Sequence, residues 1–319
     1  MRVDRRLTSF AIAFMLKIRF FRFFGYLRWA TIKKTAIRVG ERRLFGFSSE
    51  IAYNAMLSLF PAILAVLTAI GLFEESLQSF FRDLAVQVSK VAPDEALVLI
   101  RDFARQITQT KNSGLFSISF LVAIWAASGA LSAAMNALDQ IHKIPPTQIR
   151  PFWKSKLISI CLTIGTIALL VIASFLIFIS DWLLKFFVRE SGLDIVLVIW
   201  QLLRWPLALA IVSTAFAFVY RYGPSKWDPG TPMMPGAVLA AVSWAIVSGL
   251  FRLYVSNYGN YNQVYGAVGA VIVLMLWLYM SAVVLLVGDQ LNVTVGEAMR
   301  SHLANKQLNP SKSKINRSF

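Results

Sequence analysis

Long apolar stretches dominate the chain, and polar or cationic residues bound each of them. A helix that crosses a hydrocarbon core of roughly 30 Å needs about 20 predominantly apolar residues. Six stretches meet this requirement and predict six transmembrane helices. They run from Ile51 to Phe73, Leu115 to Leu138, Leu157 to Ser180, Ile195 to Tyr220, Gly236 to Val255 and Ala267 to Gly288.

The segment from Phe10 to Trp29 is also apolar, but it is interrupted by Lys17, Arg19, Arg22 and Arg28. Because cations are costly inside a bilayer, we predict that this segment lies along anionic headgroups and does not cross the membrane. The pattern predicts an all-α, polytopic membrane protein. It would consist of a basic interfacial segment (residues 1–46), a six-helix transmembrane domain (47–293) and a basic tail (294–319) that we expect to be disordered.

Composition and charge agree with this assignment. The 319 residues are 57% hydrophobic, with 32 Lys and Arg against 16 Asp and Glu, and the mean hydropathy is +0.62. Counted between the predicted spans, 23 of the cations lie on the side of the two termini and seven on the other. Cytoplasmic loops of membrane proteins are enriched in Lys and Arg, so both termini are predicted to be cytoplasmic. Topology and anionic lipid account for the positive charge, and we expect no nucleic-acid partner.

The first exterior loop, residues 74–114, is longer than a simple connector. Its apolar residues Leu77, Phe80, Phe81, Leu84 and Val88 recur at helical spacing, and a second helix is predicted after Pro93. Two interpretations remain open. The loop is either a cap on the outer ends of the spans, or a lid or docking site for an envelope protein partner.

Motifs of known enzymes are absent from the sequence. It has no Walker loop, no His-Glu-x-x-His pair and no Gly-x-Ser-x-Gly elbow. The two histidines, His142 and His302, are interpreted as ordinary interfacial side chains. The single cysteine, Cys161, cannot form a disulfide or a cysteine metal site within one chain. We therefore expect no catalytic residues, no metal and no cofactor.

Polar residues within or at the ends of the spans are a candidate functional site, because each must find a partner or water. Those at the predicted cytoplasmic ends are Glu50, Asn54, Asn136, Asp139, Arg221, Asp289 and Asn292. They form either a structural network or a polar vestibule that opens to the cytoplasm.

A second set lies toward the exterior, where Arg204 and Arg252 enter two spans. A loop rich in tyrosine and amide residues follows, and it contributes Tyr254, Tyr258 and Tyr261. Guanidinium and phenol groups suit a phosphate or another anionic headgroup. Ion pairs of the arginines with Asp181 or Asp194 are the alternative.

Two prolines, Pro61 and Pro206, fall inside predicted spans and predict helix bends, because proline removes a backbone hydrogen bond. Asn54 and Ser58 precede Pro61 by about two turns and one turn. We expect them to help satisfy the carbonyl groups that Pro61 leaves without a donor.

Three motifs resemble the YihY/BrkB family of bacterial inner-membrane proteins. They read SSEIAYNAMLSLFPAIL, KWDPGTPMMPGAVLAAVSW and YNQVYGAVGAVIVLMLWLYMSAVVLLVGDQLNV, and the resemblance covers Phe47 to Val293. It implies a six-helix inner-membrane protein with both termini inside. Where the family usually has Gly-Ala-Glu-Leu-Asn, this chain has Gly288, Asp289, Gln290, Leu291 and Asn292. The acid is displaced by one position, about 100° around a helix, so a role of the family's Glu does not carry over to Gln290.

Three functions remain open. The resemblance implies handling or translocation of an anionic lipid or another envelope amphiphile, with membrane lipids as partners. The second is a structural or scaffolding protein of the membrane. The third is a tRNA-processing ribonuclease, an older label of the family that the missing catalytic motifs disfavour. The sequence does not indicate an oligomeric state.

Overall fold

The structure, a computed structural model, describes residues 23–65, 113–191, 194–227, 231–257 and 261–308. Every regular element in these ranges is helical, which confirms the all-α prediction. Residues 23–26 are helical, and the longer helices are α1 (Trp29–Glu41), α2 (residues 44–65), α3 (Ser113–Ile141), α4 (Phe152–Ser191), α5 (Asp194–Tyr222), α6 (Met234–Asn257) and α7 (Tyr261–Leu308). A short 3₁₀ helix, Pro146–Gln148, lies between α3 and α4.

Five helices in the described ranges are long and apolar enough to cross a membrane. The qualifying segments are Ser117–Ile141, Phe152–Ala173, Leu202–Tyr222, Met234–Val255 and Val268–His302. They confirm the second to sixth predicted spans as helices of the required length and composition. The first predicted span is described only to residue 65 and is helical up to there. Residues 74–112 of the exterior loop lie outside the described residues.

The chain divides into two compact units. The larger contains the residues up to Ala52 and those from Leu131 onward, and the smaller contains Tyr53–Ala130. Within the larger unit α4 packs against α5, α5 against α6 and α6 against α7, while α1 packs against α7. In the smaller unit Asn54 of α2 faces Gly129 of α3, and a Cβ atom at Gly129 would lie 2.9 Å from Asn54 Oδ1.

Many buried residues of the larger unit are small, and many of its large apolar residues face outward. Ala134, Ala237 and Ala241 are fully buried, whereas Leu202 and Trp153 are 80% and 76% exposed. This distribution is expected in lipid, because apolar side chains are stable there and small residues let helices approach closely.

Helix α7 continues well beyond the apolar stretch that predicted it. Its 48 residues correspond to about 72 Å, roughly twice the hydrocarbon thickness. Val295 and Met299 are buried and pack with Phe23 from the basic segment before α1. The expectation of a disordered tail from residue 294 was therefore wrong for residues 294–308, because an apolar face beyond the span is buried against the amino-terminal segment. Residues 309–319 lie outside the described part.

Candidate functional site

Three polar side chains of α7 reach three different elements of the larger unit. Asp289, Gln290 and Asn292 are all 0% exposed, and they follow directly after the apolar stretch of the helix. Successive residues project about 100° apart around a helix, so neighbouring positions face different partners. We call these three residues and their partners Arg42 and His142 the polar cluster.

Asp289 pairs with His142. Asp289 Oδ2 lies 3.0 Å from His142 Nε2, and the side chains are 0% and 2% exposed. His142 directly follows α3, which ends because Lys143 adopts a left-handed φ of 54° and two prolines come next. Asp289 Oδ1 is buried and has no hydrogen-bond partner within the part of the chain that the structure describes. The pair thus consists of two ionisable side chains that are both buried away from solvent.

Arg42 brings a positive charge to the same region from the turn between α1 and α2. Its Nη1 donates to Gln290 Oε1 at 2.8 Å and also to the carbonyl oxygen of Ile141. Burial lowers the pKa of the Arg42 guanidinium from its ordinary value, and nearby Arg38 lowers it further. The group remains cationic at neutral pH because arginine keeps its proton in proteins.

Asn292 joins α7 to the start of α6. Its Oδ1 accepts a hydrogen bond from the Gly236 N–H at 2.9 Å, and its Nδ2 donates to the Met233 carbonyl at 3.2 Å. A Cβ atom at position 236 would collide with the Asn292 amide. The glycine therefore permits a backbone approach that a larger residue would prevent.

Asp139 forms a separate contact. Its Oδ1 accepts from the Ser225 N–H at 2.6 Å, and its Oδ2 accepts from the Ser225 hydroxyl at 2.7 Å. Arg150 donates to the carbonyl oxygens of Tyr222, Gly223 and Pro224 at 2.9, 3.2 and 2.7 Å. Burial lowers the pKa of the Arg150 guanidinium, while the Asp139 carboxylate opposes this shift. Both side chains hold the loop after α5 in place.

The aromatic ring of Trp227 links this loop to the polar cluster. Its centroid lies 5.5 Å from that of the His142 ring. The Arg221 guanidinium lies 5.2 Å from the Trp227 ring centroid, and Arg221 itself is exposed. Arg221 thus covers the outer side of the indole without entering the cluster.

Glu297, one turn or more beyond the polar cluster, binds cations from two elements. Arg38 Nη2 of α1 lies 2.6 Å from Glu297 Oε2, and Lys34 Nζ lies 3.7 Å from the same oxygen. Lys143 Nζ lies 3.7 Å from Oε1. Glu297 therefore ties α1 and the end of α3 to α7.

The structure places the seven residues predicted at the cytoplasmic ends in different surroundings. Asp139, Asp289 and Asn292 are buried and each has a different partner. Glu50 and Asn136 are exposed. Asn54 belongs to the smaller unit, where it is half-buried. Their role as a functional site remains a prediction.

Four residues of this region were not predicted as site residues. They are Arg42, His142, Gln290 and Glu297. The interpretation of His142 as an interfacial side chain was wrong, because the end of α3 places the ring 2% exposed against Asp289. Glu297 had one signal in the sequence, since it is the only carboxylate after Asp289 in a basic stretch.

The exterior set is only partly described. Arg204 is half-buried on α5, and its guanidinium lies 5.9 Å from the Trp205 ring centroid. Arg252 and Tyr254 are exposed on α6. Tyr258 and the side chain of Tyr261 lie outside the described part. An anion site here remains a prediction.

Both span prolines lie within continuous helix. Pro206 is inside α5, and α2 is helical on both sides of Pro61. The carbonyl that Pro61 leaves without a donor is that of Leu57, four residues earlier. The Ser58 hydroxyl donates to the Ala55 carbonyl at 2.6 Å, so the expected role of Ser58 at the freed carbonyl was wrong.

A metal site is not indicated by the side chains that the structure describes. No three His, Cys, Asp or Glu residues converge in these ranges. The groups that the polar cluster brings together are the His142 imidazole, the Asp289 carboxylate and the Arg42 guanidinium, all three held by hydrogen bonds.

Comparison with known proteins identifies similar chains. The model of a family described as virulence factor BrkB matches residues 35–314. A ribonuclease-like protein, YfkH, of Bacillus subtilis (strain 168) is 32% identical over 254 residues, which are 77% of this chain and 87% of that protein.

More distant relatives are named as membrane proteins. A UPF0761 membrane protein of Tolumonas auensis is 26% identical over 82% of this chain and 83% of its own length. Another, from Vibrio vulnificus (strain YJ016), is 27% identical over 84% of this chain and 83% of its own length. No solved structure matches this chain.

Proposed function

Because this chain belongs to the virulence factor BrkB family, whose relatives include UPF0761 membrane proteins, we propose that it binds and moves an anionic amphiphile of the bacterial inner membrane. A lipid or another envelope precursor with a phosphate-bearing headgroup is the ligand class. Both termini lie in the cytoplasm in this proposal, as the distribution of Lys and Arg predicts.

The buried pair of His142 and Asp289 is the observation that supports the proposal most. Taking a carboxylate and an imidazole out of water is costly, and apolar residues of similar volume often give equal or greater stability. An ionisable residue at the end of a membrane span is therefore a functional candidate with a named partner. Stability alone is therefore a weak explanation for this pair.

The charge around the pair suits an anionic ligand. Arg42 places a cation that stays protonated beside Gln290, one residue from Asp289. In the proposed mechanism the Arg42 guanidinium contributes the positive charge that attracts an anionic headgroup to this region.

The exterior arginines form a second headgroup-binding site in this mechanism. Arg204 and Arg252, with Tyr254, Tyr258 and Tyr261, would receive the headgroup at the opposite side. We expect Arg204→Ala and Arg252→Ala each to slow lipid movement, and a conservative Lys at either position to retain part of it, since the charge is kept.

A vesicle assay tests the proposal. Purified protein is placed in vesicles of phosphatidylethanolamine and phosphatidylglycerol that contain fluorescent phosphatidylglycerol, and dithionite bleaches the label in the outer leaflet. The unmodified protein should move labelled lipid from the inner to the outer leaflet, where dithionite can bleach it. Asp289→Asn and Arg42→Gln should slow this by about tenfold or more, while Glu41→Gln, which removes an exposed carboxylate, should not. No movement with unmodified protein, or equal rates in all variants, contradicts the proposal.

A scaffolding role is the second candidate, and the hydrogen bonds of Asn292 and Gln290 favour it because they join α7 to two other elements. In that case variants of the polar cluster change stability but never lipid movement. The ribonuclease function suggested by the name of YfkH is tested on the same preparations: RNA cleavage that is lost in Asp289→Asn would support it, and cleavage that persists there would indicate a contaminant.

A further inference from the structure

An apolar groove lies between α1, the start of α2 and α7. It has a volume of about 440 Å³ and is lined mainly by Ile32, Ala36, Val39, Phe45, Val287 and Leu291. Small-molecule sites commonly measure about 300–1,000 Å³, so the groove is large enough for part of a ligand. The polar cluster points elsewhere and is not part of its wall.

The one hydroxyl in the groove wall does not make it polar. Thr35 lies at the wall, but its hydroxyl donates to the Thr31 carbonyl at 2.9 Å. A ligand in the groove thus meets methyl, methylene and aromatic groups. Such a wall selects a hydrocarbon chain over a polar molecule.

The groove opens beside residues that suit a membrane interface. On α1, Trp29 and Ile32 are 78% and 43% exposed, and Phe45 at the start of α2 is 50% exposed. A helix that exposes apolar residues together with lysine and arginine lies at the boundary between headgroups and acyl chains. These exposed apolar side chains would allow a lipid to enter the groove from the bilayer.

The stretch of chain that contributes most of the groove wall carries a net positive charge. Residues 28–43 contain six cations and one carboxylate. Arg38 and Arg42 are directed to Glu297 and Gln290, whereas Arg28 and Arg43 are exposed. Arg28 follows the wall residue Leu27, and Arg43 lies two residues before the wall residue Phe45. Each of these two exposed arginines is thus close in sequence to a residue of the groove wall.

We propose that this groove holds one acyl chain of an anionic phospholipid from the inner leaflet, with its phosphate on Arg28 or Arg43. The ligand class rests on the proposed function, but binding here does not require the lipid to cross the membrane. Apolar walls, charge complementarity and position at the interface together favour this occupant over a soluble ligand.

Lipid binding by the full chain tests the proposal. Protein in detergent is titrated with dioleoyl phosphatidylglycerol or dioleoyl phosphatidylcholine, and bound lipid is counted by native mass spectrometry. The side chain of Ala36→Trp fills the groove. The matched control Ala30→Trp adds the same side chain to an exposed position of α1 outside the wall. The double variant Arg28→Gln, Arg43→Gln tests the headgroup contact.

We expect one phosphatidylglycerol to bind the unmodified protein and the Ala30 variant, and about tenfold weaker binding to the Ala36 variant. The arginine double variant should lose its preference for phosphatidylglycerol over phosphatidylcholine. Equal affinity in the Ala36 and Ala30 variants, or no preference in the unmodified protein, overturns the proposal. So does a dimer that Ala36→Trp dissociates without changing lipid binding, since the occupant is then a second copy.

These results are separate from those of the vesicle assay. Specific binding that Ala36→Trp abolishes, with no lipid movement in vesicles, assigns the groove while contradicting the proposed transport. If Ala36→Trp leaves both lipid movement and lipid binding unchanged, the proposed lipid site in the groove is contradicted, but the proposed transport is not.

Discussion

His142 and Asp289 are 147 positions apart in the chain, yet their side chains form one buried pair. Nothing in the local sequence of either residue predicts the other. His142 follows a span and Asp289 ends one, so each resembles an ordinary residue at a membrane boundary. Their burial changes the energetic role of both, because a charge that is removed from water depends on its partner.

We expect His142→Leu to destabilise the protein by about 3–5 kcal/mol, because it leaves the Asp289 carboxylate buried without its partner. The double variant His142→Leu, Asp289→Leu should recover most of this loss, since no buried charge remains. Thermal unfolding in detergent measures both. A double variant as unstable as the single one would show that the pair itself contributes the stability. Lipid movement that stays lost in a stable double variant would favour transport over scaffolding.

Gly236→Ala should destabilise the protein by about 1–3 kcal/mol, as expected for overpacking. The added methyl group would displace the Asn292 amide and break its bonds to α6. Gly249→Ala on the same helix is the matched control, because a Cβ atom there meets nothing within 4 Å. Equal unfolding temperatures for the two variants would contradict this explanation.

Among the contacts between helices, the packing of the amino-terminal segment and α1 against α7 differs most from what the sequence predicted. The predicted tail begins at residue 294, but α7 runs to Leu308 and buries Val295 and Met299 against Phe23. Glu297 then adds ion pairs to Arg38 and Lys34. The amino-terminal segment is therefore attached to the last helix by apolar packing and by charge.

Glu297→Gln should loosen α1, because it removes the partner of Arg38. Arg38 and Glu297 are 12% and 29% exposed, so we expect a loss of only about 1 kcal/mol. Trypsin should cleave the cationic stretch between Arg28 and Arg43 faster in this variant and at the unmodified rate in Glu41→Gln. Because salt screens partly exposed charges, raising the ionic strength should narrow the difference. Identical cleavage rates at low salt would contradict the proposed attachment.

Along the whole chain, the distribution of apolar stretches agrees with that of the cations, and both are typical of a polytopic membrane protein. Five helices in the described ranges have the length and composition of spans, and the imbalance of Lys and Arg predicts which side their ends face. The polar cluster and the groove both involve α7 near the predicted cytoplasmic end. Every functional assignment made for them depends on that orientation.

Reporter fusions test the orientation directly. Alkaline phosphatase fused after Phe319 should be inactive and a fluorescent protein at the same position should be bright, because both termini are predicted to be cytoplasmic. Alkaline phosphatase inserted in the loop of residues 74–114 should be active. The opposite pattern would place the polar cluster and the groove on the exterior side and would contradict an inner-leaflet lipid in the groove.

The sequence predicted the helices well and the side-chain contacts poorly. The spans of α3 to α7 needed only a count of consecutive apolar residues, because lipid imposes that length. Asp139, Asp289 and Asn292 were recognised as polar residues at span ends. Gln290 was recognised as a polar residue at a span end but not as a site residue, and Arg42 was counted only as a topological charge, because the partner of each lies far away in the chain.

The sequence alone therefore determined the membrane class, the positions of five apolar helices and the predicted side of the termini, since all of these follow from local composition and from the bilayer as solvent. The packed structure determined that Asp289 meets His142, that Gln290 meets Arg42 and that α1 covers α7 to leave an apolar groove. These contacts depend on how helices that are distant in sequence rotate and pack against each other, and periodicity within one helix does not contain that information.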